Sequence, residues 1–77
     1  MNKKIETAVG NNVRILRERK ALTQEQLSAK LQTNGCDITR SAVAKIEVGQ
    51  RHLYPDELFL LKKILSVSYD DFFEGIE

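Results

Sequence analysis

Apolar residues recur along this chain at helical spacing, and no run alternates with the period of two that a half-buried strand needs. Between Lys3 and Lys20, the residues Ile5, Ala8, Val9, Val13, Ile15 and Leu16 fall on one broad arc of a helix. Over 24–33 the apolar stripe is Leu27 and Leu31, with Ala29 or Ser28 at its edge. Val43, Ile46 and Ala42 turn the same way in the next segment, and Leu58, Leu61, Ile64 and Leu65 in the one after. A last short segment offers Phe72 together with Phe73 or Ile76. The pattern predicts five helices, at 3–20, 24–33, 40–48, 55–65 and 69–74. Each is marginal alone in water, so stability has to come from packing the stripes together.

The polar residues between the stripes carry a repeated start signal. Thr23 stands where a side-chain cap is needed, Gln26 follows at the capping-box position, and Leu22 and Leu27 flank them as a hydrophobic staple. Thr39 repeats the cap between Ile38 and Val43, and Ser68 repeats it with Asp71 at the box position between Val67 and Phe72. Tyr54 is a poor cap, but Pro55 suits a first helical position and Leu53 and Leu58 form the staple. The expected architecture is therefore all-α: a single compact domain of five helices spanning residues 1–77.

Charge changes this picture only when it is divided along the chain. The net charge of the 77 residues is +1. Residues 1–51 hold ten Lys and Arg against five Asp and Glu, and residues 52–77 hold two against six. A basic part of +5 thus precedes an acidic part of −4, and a local basic face is what a phosphate backbone responds to. The third helix concentrates the relevant chemistry. Its outward arc carries Arg40, Ser41, Ala44, Lys45 and Val48. Short Ser and Ala side chains let a large surface approach, and the long Arg and Lys donors reach phosphates or guanine edges. Such a face, on a short helix entered through a capped turn, suits a DNA major groove; an ordinary solvated helix face is the plainer reading of the same residues.

The stretches Gly10–Arg19, Leu22-Thr-Gln-Glu-Gln-Leu27, Ile38-Thr-Arg-Ser-Ala-Val-Ala-Lys-Ile-Glu-Val-Gly49 and Leu65–Phe73 together resemble the lambda-repressor/Cro-like (XRE-type) helix-turn-helix family. The resemblance covers residues 5–74 and implies a DNA-binding domain whose reading unit is about 23–48. It further implies that Gln24 meets a phosphate and braces the recognition helix. Arg40, Ser41 and Lys45 match positions facing base edges, with Ala44 as an apolar contact, and Thr39 matches a phosphate contact beside its capping role. Gln50 and Arg51 match the loop that approaches the backbone. Arg17 and Glu47 match a structural ion pair tying the first helix to the recognition helix. The expected partner is double-stranded DNA at a palindromic operator, bound by a homodimer acting as a transcriptional repressor.

Two departures from the family pattern stand out. Gln32–Asp37 lengthens the connection between the second and third helices by about five residues over the usual tight turn, which is expected to extend the second helix by a turn before Gly35 ends it. The extra residues could also widen the connection and change the depth of the third helix. In the fourth helix Phe59 and Leu60 fall outside the apolar arc, and Lys62 stands where the family prefers a small apolar residue. Phe59, Leu60 and Phe73 are accordingly candidates for a dimer seam, with coverage by the chain ends in a monomer as the other reading.

Catalysis is not expected. The single His, His52, and the single Cys, Cys36, lie sixteen residues apart on different loops, without an obvious orienting carboxylate. They cannot complete a structural zinc site, no nucleotide or hydrolase fingerprint is present, and neither a metal nor a cofactor is expected. Cys36 reads as a small turn residue, with a redox-sensing thiol as the lesser reading. No apolar run approaches a membrane span, no leader is evident, and one unpaired cysteine fits a reducing cytoplasm. The chain has no room for a separate sensor domain on this reading. The rival class is a protein-interaction module or antitoxin-type partner protein built on the same fold.

Overall fold

The computed structural model describes residues 2–77 as four α-helices and one 3-10 helix, with no strand among them. They are α1 (Lys3–Arg19), α2 (Gln24–Thr33), α3 (Arg40–Glu47), α4 (Pro55–Leu65) and the 3-10 helix Tyr69–Phe73. The fold class is the all-α arrangement read from the sequence, with one change of element type. The final segment, expected as a fifth α-helix over 69–74, is a single 3-10 stretch. Asp71 closes it with a hydrogen bond to the Ser68 carbonyl, and Gly75 takes a left-handed φ of +78° just beyond. The Asn12 amide donates to the carbonyls of Phe72 and Glu74 at 2.9 and 3.0 Å. Those acceptors are thereby tied to α1, and the segment serves to deliver the fully buried Phe72 to the core.

The helix starts follow the capping grammar. In α2 the Gln26 amide donates to Thr23 Oγ1 at 3.0 Å, and the Thr23 amide donates back to the Gln26 side chain at 2.9 Å. Thr39 accepts from the Ala42 amide at 3.1 Å. Tyr54 contributes no cap; Glu57 instead reaches back and accepts the Tyr54 amide at 3.0 Å. Asn2 supplies the cap of α1 by accepting from the Ile5 amide.

All four α-helices end on a left-handed residue: Ala21, Gly35, Gly49 and Ser66. In each case the next residue's amide turns back to a carbonyl of the last turn: Leu22 to Arg17, Cys36 to Leu31, Gln50 to Lys45, and Val67 to Lys62. This closure satisfies orphan carbonyls and folds Leu22, Cys36 and Val67 back toward the core. Glycine occupies the position at no steric cost, whereas an L side chain at positive φ costs about 1–2 kcal/mol. Ala21→Gly and Ser66→Gly are therefore each expected to add about 1 kcal/mol, raising Tm by about 5 °C in a circular-dichroism melt. An unchanged or lower Tm would mean that neither site carries that strain.

The core is one cluster drawn from every element. Val13 and Leu16 of α1, Leu27 and Leu31 of α2, Val43 and Ile46 of α3, Leu61 and Leu65 of α4, and Phe72 are all buried. Cys36 and Ile38 of the α2–α3 connection belong to it as well. Ile5 and Phe73 of the predicted stripes are instead exposed, at 42% and 44%. At the edge of α2 it is Ser28, not Ala29, that turns inward.

The longer α2–α3 connection is pinned. Gly35 ends α2 with nothing near its α-carbon, so it acts only as a left-handed stop. Ser28 Oγ then donates to the Ile38 carbonyl at 2.6 Å, and the Gln32 amide donates to the same oxygen at 3.0 Å. With Cys36 and Ile38 buried on either side of Asp37, the connection is a strap fastened to α2, and α3 leaves it from a fixed point. At the other end α1 crosses α3 at Gly10, where an added β-carbon would lie 2.1 Å from the Ile46 carbonyl oxygen.

Candidate nucleic-acid interface

α3 divides into two faces. Val43, Ile46 and Glu47 are buried, while Arg40, Ser41 and Lys45 are exposed and Ala44 is half-buried between them. Neither Arg40 nor Lys45 takes part in an ion pair among the described residues. Thr39, Gln50 and Val48 are exposed at the two ends of the same helix. The outward face therefore presents two uncompensated cations around short side chains.

The inward face is anchored through a charge. Glu47, the last residue of α3, is buried and meets Arg17 of α1 in a two-pronged pair, with Nε–Oε2 at 2.7 Å and Nη2–Oε1 at 3.0 Å. The remaining Arg17 nitrogen donates to the Leu22 carbonyl at 2.8 Å. Gln24, the first residue of α2, adds its amide to Glu47 Oε1 at 3.0 Å. One carboxylate thus ties together α1, the start of α2 and the end of α3. Among the described residues no fully buried side-chain nitrogen or oxygen lacks a partner, as a charge in a low-dielectric place requires. Hydrogen bonding to Glu47 raises Arg17 above the usual arginine range. Arg17, Thr23, Gln24, Glu25 and Arg40 line an open groove between the starts of α2 and α3.

The loop after α3 is held at three points. Gly49, with φ +77°, lies against Thr7 of α1, and its carbonyl accepts from the Lys3 amine. The His52 ring meets the Glu6 carboxylate. Arg51 Nη1 and Nη2 donate to the two carboxylate oxygens of Glu57 at 2.9 and 3.0 Å, and Nη1 also donates to the His52 carbonyl. Burial works against the Glu57 charge, but the hydrogen bonds from Arg51 and the Tyr54 amide outweigh it and hold the carboxyl below its usual range. No functional role follows from the sequence for Glu57, Gly10, Ser28 or Gln32, although Ser28 lies at the edge of an expected stripe and Gln32 opens the longer connection. Only Glu57 had a local signal, its box position after Tyr54; the other three act across distances that spacing does not reveal.

Of the candidate seam residues, Phe59 is 56% exposed and Phe73 44%, while Leu60 is half-buried and packs against the core. Phe73 borders an apolar groove with Ile5, Val9, Leu53 and Leu58. Burial pushes the Cys36 thiol up, away from the thiolate form that reactivity needs. Among the described residues no three His, Cys, Asp or Glu side chains gather as metal ligands, and no helix is long and apolar enough to cross a membrane.

Comparison with known proteins bears on this arrangement directly. A family model described as helix-turn-helix matches residues 13–72. The crystal structure of the restriction-modification controller protein C.AhdI from Aeromonas hydrophila superposes with a TM-score of 0.78 at 28% identity, covering 92% of this chain and 96% of that one. No curated protein matches the sequence significantly.

Proposed function

The chain belongs to the helix-turn-helix family and is a DNA-binding transcription regulator, and from that premise we propose that it represses transcription by reading the major groove with α3. One observation carries the reading: Arg40 and Lys45 stand uncompensated on the exposed face of a helix whose opposite face is locked by the Arg17–Glu47–Gln24 cluster. A rigid helix with free long donors and short neighbours is what direct readout requires. On this reading residues 1–77 form one cytoplasmic DNA-binding domain, with its reading unit at about 23–48. Arg40, Ser41 and Lys45 face base edges with Ala44 against a thymine methyl, while Gln24, Thr39 and Gln50, carried on the loop that Arg51 braces, meet the backbone. Gln24 spends its amide on Glu47, so its phosphate contact falls to its backbone amide at the helix start.

The protein is proposed to act as a homodimer on a palindromic operator, with the exposed Phe59 and Phe73, and the edge of Leu60, at the seam. The similarity to a restriction-modification controller protein supports the regulatory reading. Selection of bound sequences from a random duplex library tests all of this at once. An inverted repeat with half-sites about one helical turn apart, ~34 Å, is expected. Arg40→Ala is expected to cost about 1–3 kcal/mol on the selected site and to relax preference at one base pair. A loss that is uniform across sequences would make Arg40 a phosphate contact instead. Failure to enrich any sequence, together with no salt-dependent binding to random duplex, would overturn the proposal.

A further inference from the structure

The loop between α3 and α4 contains two polar side chains that a backbone-approaching loop could use, and the structure treats them differently. The Gln50 side chain is exposed and makes no hydrogen bond among the described residues. The Arg51 guanidinium is bound at both terminal nitrogens by Glu57. Glu57 is only 6% exposed and accepts the Tyr54 amide besides. Moving Arg51 out to a phosphate would strand that buried carboxylate, which is strongly unfavourable. Arg51 also spans the loop internally, through its bond to the His52 carbonyl and its position 5.7 Å from the Tyr54 ring centre.

We infer that Glu57 is a positioning residue for DNA binding: through Arg51 it clamps the loop to α4 so that Gln50 meets the DNA backbone at a fixed place. The inference rests on the DNA-binding reading above and concerns its geometry. The loop is held from two sides. The α1 side supplies the Lys3 amine to the Gly49 carbonyl, and the α4 side supplies Glu57 to Arg51, with Gln50 between the two anchors. A two-pronged guanidinium–carboxylate contact fixes direction as well as distance, which a lysine in the same place does not. In this arrangement the charge of Arg51 belongs to the loop's architecture and not to the count of neutralised phosphates.

The test uses the duplex selected by the wild-type protein, a random duplex, and four variants: Arg51→Lys, Arg51→Ala, Glu57→Gln and Gln50→Ala. Binding is measured across a salt series at a temperature where circular dichroism shows each variant folded. Arg51→Lys keeps a positive partner beside Glu57 and so guards against loss of the fold. The three clamp variants are each expected to lose about tenfold affinity for the selected duplex, the scale of one misplaced contact. Because a backbone contact carries no sequence information, their affinity for random duplex should fall by a similar factor, while their salt slope should match wild type because Gln50 is uncharged. Adding Glu57→Gln to Gln50→Ala should cost little more than Gln50→Ala alone, because the clamp acts through that residue. The inference is overturned if Arg51→Lys binds like wild type while Arg51→Ala flattens the salt slope by about 0.9, the signature of one lost phosphate contact. It is also overturned if Glu57→Gln tightens binding to both duplexes, since Glu57 would then be withholding a phosphate-binding arm. A wild-type protein that selects no duplex and shows no salt-dependent binding removes the DNA-binding reading itself, a result separate from either of these.

Discussion

Glu47→Ala is expected to cost about 3–5 kcal/mol, the usual consequence of removing one partner of a buried ion pair. A domain of 77 residues has about 4–12 kcal/mol of stability in total, so the loss is a large fraction of what holds the fold together. The loss is large because two groups are stranded together. Arg17 keeps a buried positive charge with only the Leu22 carbonyl as a partner, and the Gln24 amide loses its acceptor. The urea midpoint measures the effect, with the slope m checked to confirm that the denatured state is unchanged. The double variant Arg17→Met/Glu47→Leu should recover most of the loss, because the desolvation of both charges disappears with them. A Glu47→Ala midpoint within 1 kcal/mol of wild type would show that water reaches Arg17 and that the cluster does not anchor α3. The double variant also separates stability from function: it restores the fold but removes the directional tie on α3, so DNA affinity should stay below wild type.

The second large effect is at Gly10. An alanine there is a gain in isolated helices, by about 1 kcal/mol, because glycine has the greater chain entropy to lose. In this fold the sign reverses. The new β-carbon would sit 2.1 Å from the Ile46 carbonyl oxygen and 3.3 Å from the Glu47 carbonyl carbon. Both contacts are backbone, so no side chain can swing aside, and α1 and α3 must separate by about an ångström. Overpacking costs about 1–3 kcal/mol and more where the neighbours are rigid, so a net loss of about 3 kcal/mol is expected in a thermal melt. Separation at this crossing also disturbs the Glu47 site one residue on, so Gly10→Ala and Glu47→Ala should be less than additive. A Gly10→Ala protein as stable as wild type would mean that α1 and α3 do not approach as closely as described.

These two residues mark the boundary of what the chain discloses before it is folded. Glu47 was identifiable because it resembles a family position and sits at the edge of an apolar arc. Its second partner, Gln24, matches a position that braces the recognition helix, but no spacing shows that Arg17 and Gln24 meet at one carboxylate oxygen. Gly10 carries no such signal, since nothing in the surrounding pattern shows which backbone will cross it. Glu57 shows a third situation. Its bond to the Tyr54 amide follows from spacing alone, yet its bond to Arg51 depends on the path of the loop between them. The expected fifth α-helix is a 3-10 helix for a related reason: its start signals are local, but Asn12, sixty residues away in sequence, claims the carbonyls at its end.

The sequence by itself determined the number and order of the helical elements, their start signals, the stripes that form the core, and the candidate recognition face on α3. All of these depend on the identities of residues within one or two turns of each other, where hydrogen bonding and side-chain direction are set by local backbone geometry. Only the tertiary structure decided which polar groups are committed and which are free. It pinned the long α2–α3 connection through Ser28 and Gln32, engaged Arg51 with Glu57, and left the side chains of Arg40, Lys45 and Gln50 without partners among the described residues. The reason is physical: whether a charge or an amide is available depends on burial and on partners from distant segments, and those are fixed only when the helices have packed.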